Sequence, residues 1–130
     1  MPTVAYIAHP IGDAPTMRVD QVRFIQYLVY QDEPGVIPFA PYLRAVECLD
    51  DAVQEDRERG MAHNRHFLTS GIVDELRLYG PWVSRGMWEE IRIALNEQIP
   101  IRAMTEGVKT DLENSPVGRA ILASEQHTPT

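Results

Sequence analysis

Cysteine is almost absent from this chain. Cys48 stands alone, so no internal disulfide can form, which fits a reducing compartment. It lies among acids in Arg44-Ala45-Val46-Glu47-Cys48-Leu49, a setting that does not favour a thiolate, and the thiol is not read as a nucleophile. Basic residues are also scarce. Twelve Lys and Arg against nineteen Asp and Glu give a net charge of -7 and a pI near 5.0. That balance disfavours a nucleic acid polymer or an anionic membrane as the main partner, while leaving room for a small anion held by local amides and arginines. Apolar runs of membrane-spanning length are missing, and the opening residues lack the basic-then-apolar order of a signal peptide, so a cytoplasmic location is expected. There is no internal repeat and no low-complexity block. What remains is 130 residues with 44% hydrophobic content, suited to one globular domain with a real core.

The apolar residues are grouped in alternating patterns. Thr3–Ala8 is a nearly continuous apolar run ending at His9-Pro10-Ile11-Gly12, as expected of a strand buried on both faces and followed by a loop. Val19, Val22, Ile25, Leu28 and Val29 recur at helical spacing and predict a helix over Pro15–Tyr30, with Pro15 in its first turn. Gly35–Ala40 reads as a second strand, placed at a sheet edge by Pro38. Leu43–Gly71 is charged and helical in character, with a break expected at Gly60. A third strand over Ile72–Tyr79, a helix over Ser84–Gln98 and a fourth strand over Ile99–Met104 complete the pattern. Strands alternating with helices indicate an α/β domain over residues 1–104, a doubly wound parallel sheet of four to five strands. Residues 105–130 read as a polar tail with room for one short helix at Pro116–Ala123 and a frayed end over the last residues.

Chemistry concentrates in Ser84-Arg85-Gly86-Met87-Trp88-Glu89-Glu90. Ser84 is a good helix cap, and the free amides behind it form an anion site beside Arg85. Gly86 permits close approach of a ligand to the backbone. On a helical wheel Glu90 falls at the flank of the apolar face, and Glu89 points nearly opposite. In an open parallel sheet ligands bind outside the carboxyl ends of the strands, so the loops containing His9 and Gly12 and containing Ser84 should share a crevice. Phe39 and Tyr42 follow the second strand and are read either as a sandwich for a base or as core and rim residues. Arg18, Arg44 and Arg65 could serve a phosphate, with nothing to fix their direction. Trp82 and Trp88 are read as packing around the start of the helix. Asp74 and Glu75 are read as structural. His63 and His66 have a metal-compatible spacing but no convergent third ligand, so no metal and no other cofactor is expected.

Tyr6-Ile7-Ala8-His9-Pro10 at the end of the first strand, with Ser84-x-Gly86-x-x-x-Glu90-x-x-x-Ala94 after the third, resembles the nucleoside 2-deoxyribosyltransferase superfamily over roughly residues 3 to 104. It looks most like the short phage and bacterial branch, and is similar to 2′-deoxynucleoside 5′-monophosphate N-glycosidases. The resemblance implies a flavodoxin-like fold and cleavage of an N-glycosidic bond through a covalent sugar intermediate. It also implies that Glu90 is the nucleophile, that Tyr6 orients it, and that Ser84 holds a 5′-phosphate where nucleoside transferases carry an aspartate. The expected partner is a small nucleotide or nucleoside, with a homo-dimer or larger homo-oligomer as the expected assembly. Two departures stand out. His66 occupies the place, eight residues before Asp74, where relatives often carry a catalytic aspartate, and is read either as the proton donor to the leaving base or as an exposed helical residue. His9 replaces a common glycine and would partly fill the crevice. The alternative readings are transfer between nucleosides, nucleotide binding or sensing without cleavage, and cleavage of a nicotinamide dinucleotide.

Overall fold

A computed structural model of the chain describes residues 1–50 and 52–126. Among these, four strands, β1 (Thr3–Ala8), β2 (Val36–Phe39), β3 (Glu75–Leu78) and β4 (Ile101–Ala103), form an all-parallel sheet in the order β2-β1-β3-β4. The helices are α1 (Pro15–Asp32), α2 (Tyr42–Cys48), α3 (Gln54–Thr69), α4 (Arg85–Asn96), α5 (Glu106–Glu113) and α6 (Pro116–Gln126). From β1 the chain first steps outward to β2, then crosses back to β3 and on to β4. Right-handed crossovers therefore put α1 on one face of the sheet and α2 to α4 on the other. This is the flavodoxin-like, doubly wound arrangement, with its switch point between β1 and β3.

The sheet is short and its centre is dry. Ala5, Tyr6, Ile7 and Ala8 are fully buried, which matches their nearly unbroken apolar run. Side chains alternate between the faces of a strand. Leu76 and Leu78 of β3 share one core with Tyr6, Leu68, Met87 and Ile91. Arg77, between those two leucines, goes to the other face. Its guanidinium is 1% exposed and donates to Glu33 at the end of α1 at 2.8 and 2.9 Å and to Glu75 at 3.0 Å. The hydrogen bonds to Glu33 raise the Arg77 pKa and hold the Glu33 carboxyl below its ordinary value. A buried cation with its donors met in this way ties the far end of α1 to the centre of the sheet.

Two differences from the sequence expectations stand out. Gly60 does not break a helix; it lies inside α3, where a Cβ would meet only that of Ala45, at an ordinary contact distance of 3.8 Å. The break comes at Leu49, which is extended, and the following turn is held by the Asp50 side chain accepting from Ala52 and by Asp56 accepting from Asp50. Residues 105–126 form two helices where a tail with one short helix was expected. Val108 and Leu112 are fully buried and Ile121 nearly so, and all three join the core. Thr105 caps α5, its Oγ accepting from Val108 and donating to the Gly80 carbonyl. Glu125 of α6 accepts from the Ala103 amide of β4 at 3.3 Å. The frayed end expected over the last residues falls on 127–130, outside the described residues. Pro38 does lie in an edge strand, β2.

The packing of α5 gives a test of this arrangement. A Cβ on Gly107 would lie 2.1 Å from the Pro81 carbonyl oxygen, whereas one on Gly86 would meet nothing within 4 Å. Gly107→Ala should lower stability by about 1–3 kcal/mol through overpacking. Gly86→Ala should leave it unchanged or slightly raised. Urea denaturation of the two variants beside the parent measures both.

Candidate functional site

The turn after β3 passes through Gly80, at φ 94, and delivers Ser84 to the start of α4. Ser84 is extended, and its Oγ accepts the Met87 amide at 3.3 Å. From that cap, the helical period buries Met87, Glu90, Ile91 and Ala94 along one face. Glu90 is thereby carried under the sheet, where it is 6% exposed. The Tyr6 hydroxyl of β1 donates to Glu90 Oε2 at 2.5 Å. Around Tyr6 stand Phe39, edge-on at 6.2 Å, and Tyr42, tilted at 6.0 Å. Phe67 of α3 meets Phe39 edge-on at 5.2 Å. Tyr42 is itself held by a hydrogen bond from its hydroxyl to the Ile7 carbonyl.

This surround sets the charge of the acid. The sequence suggests that Tyr6 and neighbouring amides would keep Glu90 ionised. Burial acts the other way and is larger. Desolvation pushes the Glu90 pKa from 4.5 up to about 7, and the Tyr6 hydrogen bond only partly offsets it. Burial, followed by the neighbouring carboxyl, also raises the Tyr6 and Tyr42 phenols well above 10, so both remain donors at neutral pH.

An open hollow of about 960 Å³ lies at the carboxyl edge of the sheet, lined by His9, Gly80 and Pro81 and by α1 residues that include Arg18 and Phe24. The buried His9 ring lies 2.7 Å through Nδ1 from the Pro10 carbonyl, and desolvation lowers its pKa. Nδ1–H donation to that carbonyl leaves Nε2 as an acceptor. Arg18 is fixed by Asp13, through Nε at 3.1 Å and Nη2 at 2.9 Å, and by Gln21 at 2.9 Å. Its guanidinium lies 5.0 Å from the centre of the Trp82 ring, a cation–π contact. Tyr6 and Glu90 do not line this hollow. Tyr6 and His9 are three positions apart, so alternation sends them to opposite faces of the sheet. The expected crevice shared by the His9–Gly12 and Ser84 loops is therefore met only in part: His9 lines the hollow with Gly80 and Pro81, while Gly12, Ser84, Arg85 and Gly86 do not, and the Tyr6–Glu90 pair is buried apart from it.

The other expected residues distribute as follows. Gly86 lies one turn before Glu90 on the same face of α4, with open space over its Cα. Arg85 is exposed and Ser84 half-buried beside it, and Gly12 is exposed in the turn before α1. Phe39 and Tyr42 pack around Tyr6, the core alternative of the two expected for them. His66 is exposed on the last turn of α3 with its ring 5.7 Å from that of Phe67, and it makes no hydrogen bond to Glu90. Glu89, facing away from Glu90, pairs with Arg65 at 3.7 Å and Arg92 at 3.2 Å. Two features were not legible beforehand. Arg18 is the arginine that reaches the hollow, through an Asp13 partner just before the helix. Asn64 of α3 has a buried Oδ1 without a hydrogen-bond partner, and no sequence signal marks it.

The charge state of Glu90 is testable through stability. Its raised pKa means that the native state keeps a proton the unfolded chain has released. The associated stability is fully present below pH 4.5 and is lost as pH rises through about 7. The loss amounts to about 3 kcal/mol. Glu90→Gln, which stays neutral and still accepts from Tyr6, should match the parent near pH 4 and exceed it by up to that amount at pH 8. Urea midpoints across this range measure the difference.

No curated protein and no solved structure matches the chain. A family model does, over residues 3–104, a span that contains the Tyr6–Glu90 pair, the His9 hollow and all four strands. The chain belongs to that family, described as a domain of unknown function, DUF7768.

Proposed function

We propose that this protein is an N-glycosidase that cleaves the base–sugar bond of a (deoxy)ribonucleoside 5′-monophosphate through a covalent glycosyl–Glu90 intermediate. The observation that carries the reading is the hydrogen bond from Tyr6 to a carboxyl that is otherwise surrounded by apolar side chains. A phenol bonded to one carboxyl oxygen leaves the other free as a nucleophile. Glu90 attacks the anomeric carbon, and the bond to the base nitrogen breaks with its electron pair leaving on the base. A proton for that base comes from outside the Tyr6–Glu90 pair, with His66 as the sequence candidate. Water then attacks the same carbon, gives up a proton and releases Glu90, the retaining two-step logic of glycosidases.

The preference for a phosphorylated sugar rests on the start of α4. The Ser84 oxygen already accepts from Met87, which leaves its hydroxyl hydrogen to donate to a phosphate oxygen. The helix amides and exposed Arg85 add favourable charge, and an aspartate at the cap would repel the dianion. No helix among the described residues is long and apolar enough to cross a membrane. A cytoplasmic nucleotide pool is the setting this reading implies, with a homo-oligomer as the working assembly.

A second reading has its own support. Glu90 is nearly inaccessible and retains its proton to about pH 7, and His66 makes no hydrogen bond to it. Those features favour a protein that binds or senses a nucleotide without cleaving it. Transfer of the sugar to a second base is a variant of the first reading, distinguished by supplying that base and looking for exchange.

Incubation with a panel of deoxyribonucleotides and ribonucleotides, assayed for free base, tests the proposal. The rate should rise with pH through about 7 as Glu90 ionises. Tyr6→Phe should slow it and move that midpoint upward, because the phenol's hydrogen bond lowers the carboxyl pKa. Glu90→Ala should lose at least about a thousandfold. Equal background release from the parent and Glu90→Ala rejects cleavage, and calorimetric binding of intact nucleotides without turnover then selects the sensing role.

A further inference from the structure

Asn64 is half-buried in α3. Its Oδ1 is the one buried side-chain oxygen or nitrogen among the described residues that has no hydrogen-bond partner. An acceptor kept dry and unpaired weakens a fold unless a ligand completes it.

The neighbours of Asn64 fix where that oxygen lies. Each residue of a helix advances about 100°, so Gly60 and Phe67 fall to one side of Asn64, and Leu68 and Arg65 to the other. Phe67 meets Phe39 of β2, which itself packs edge-on against Tyr6. Arg65 pairs with Glu89 of α4. Asn64 therefore faces the wedge between β2 and α4. On the wheel of α4, Glu90 stands between Glu89 and the buried Met87 and Ala94, on the flank that turns toward α3. Both helices return from the carboxyl edge of the sheet, and the Arg65–Glu89 pair sets them level to within about one turn. One turn before Glu90 on that flank, Gly86 has nothing within 4 Å of where a Cβ would stand. An unpaired acceptor, an acid and a free space thus meet at one seam.

We propose that Asn64 accepts a hydrogen bond from the 2′-hydroxyl of the bound sugar, and that the substrate is a ribonucleotide rather than a deoxyribonucleotide. The inference rests on the N-glycosidase reading of Glu90. In a β-linked ribonucleotide the base projects from one face of the sugar ring and the 2′-hydroxyl from the other. A carboxylate that displaces the base comes from the face opposite it, which is the face of that hydroxyl. A side chain beside Glu90 meets the hydroxyl, while the base lies across the ring. As positive charge develops at the anomeric carbon the hydroxyl becomes a better donor, so the bond strengthens toward the transition state. Deoxyribose has no donor there and would leave Asn64 Oδ1 unpaired. Sites built around a substrate hydroxyl reject an analogue without it for this reason. The family resemblance favours 2′-deoxynucleotides; this acceptor favours ribose.

The test is binding to Glu90→Gln, in which the nucleotide stays intact. Calorimetry should show ribonucleoside 5′-monophosphates held at least about tenfold more tightly than their 2′-deoxy and arabino counterparts. The arabino sugar carries its 2′-hydroxyl on the face of the base, so it separates the position of the hydroxyl from its presence. Adding Asn64→Leu, which keeps the volume and removes the acceptor, should abolish the preference and raise the melting temperature. Adding Asn64→Asp, which keeps an acceptor in place, should retain the preference. With Glu90 intact, Asn64→Leu should lower the ribose-to-deoxyribose ratio of kcat/KM at least about tenfold. Equal binding of the three sugars, or a preference that survives Asn64→Leu, overturns the proposal, and base release by the parent then leaves the cleavage reading standing. A ribose preference that Asn64→Leu removes, with no base released by the parent, supports this contact and rejects cleavage. Neither binding nor release rejects both.

Discussion

A carboxyl group in a dry interior with one phenol for company is the constraint around which this domain is organised. The Tyr6–Glu90 bond joins β1 to α4 across 84 positions of sequence and fixes the rotation of the helix about its axis. With that rotation set, Met87, Ile91 and Ala94 enter the core, and Glu89 is left to pair with Arg65 and Arg92. One neutral donor cannot replace the hydration a carboxylate loses on burial. The protein therefore retains an acid whose charge is poised near neutrality, a costly feature for stability and a useful one for a reacting group.

The two faces of the sheet answer the burial of charge differently. On the α1 side Arg77 is as deeply placed as Glu90, yet it is met by Glu33, Glu75 and Tyr79 and its charge is reinforced. That network is a rigid fastening. On the α4 side the acid has a single hydrogen bond and its charge is disfavoured. Between them lies the switch point, where loops from β1 and β3 diverge and leave room for a ligand. Opposite solutions within a few strand positions separate what holds the fold from what can do chemistry.

Much of this was readable from local chemistry. The cap at Ser84 and the flank position of Glu90 follow from helix period and hydrogen-bonding type within about ten residues. Pro38 indicated an edge strand because a missing amide hydrogen is a local fact. The Tyr6–Glu90 contact was different: nothing within either segment points to the other, and only the family resemblance suggested their meeting. Gly60 misled because propensity treats glycine as a breaker, while a single glycine costs only about 1 kcal/mol inside a helix as long as α3. Residues 105–126 looked like a tail because their buried residues, Val108, Leu112 and Ile121, are sparse and set among polar ones. The sign of the Glu90 shift was missed because it depends on a balance between desolvation and one hydrogen bond, and that balance exists only in three dimensions.

The short sheet ends in two different stops. On one side β2 contains Pro38, which has no amide hydrogen to offer a newcomer. On the other, the outward amide of Ala103 is already occupied by Glu125 of α6. Open margins of this kind are where unrelated chains add strand upon strand and solidify into fibrils. With one margin short of a donor and an outward amide of the other already occupied, the sheet offers little for a neighbour to extend.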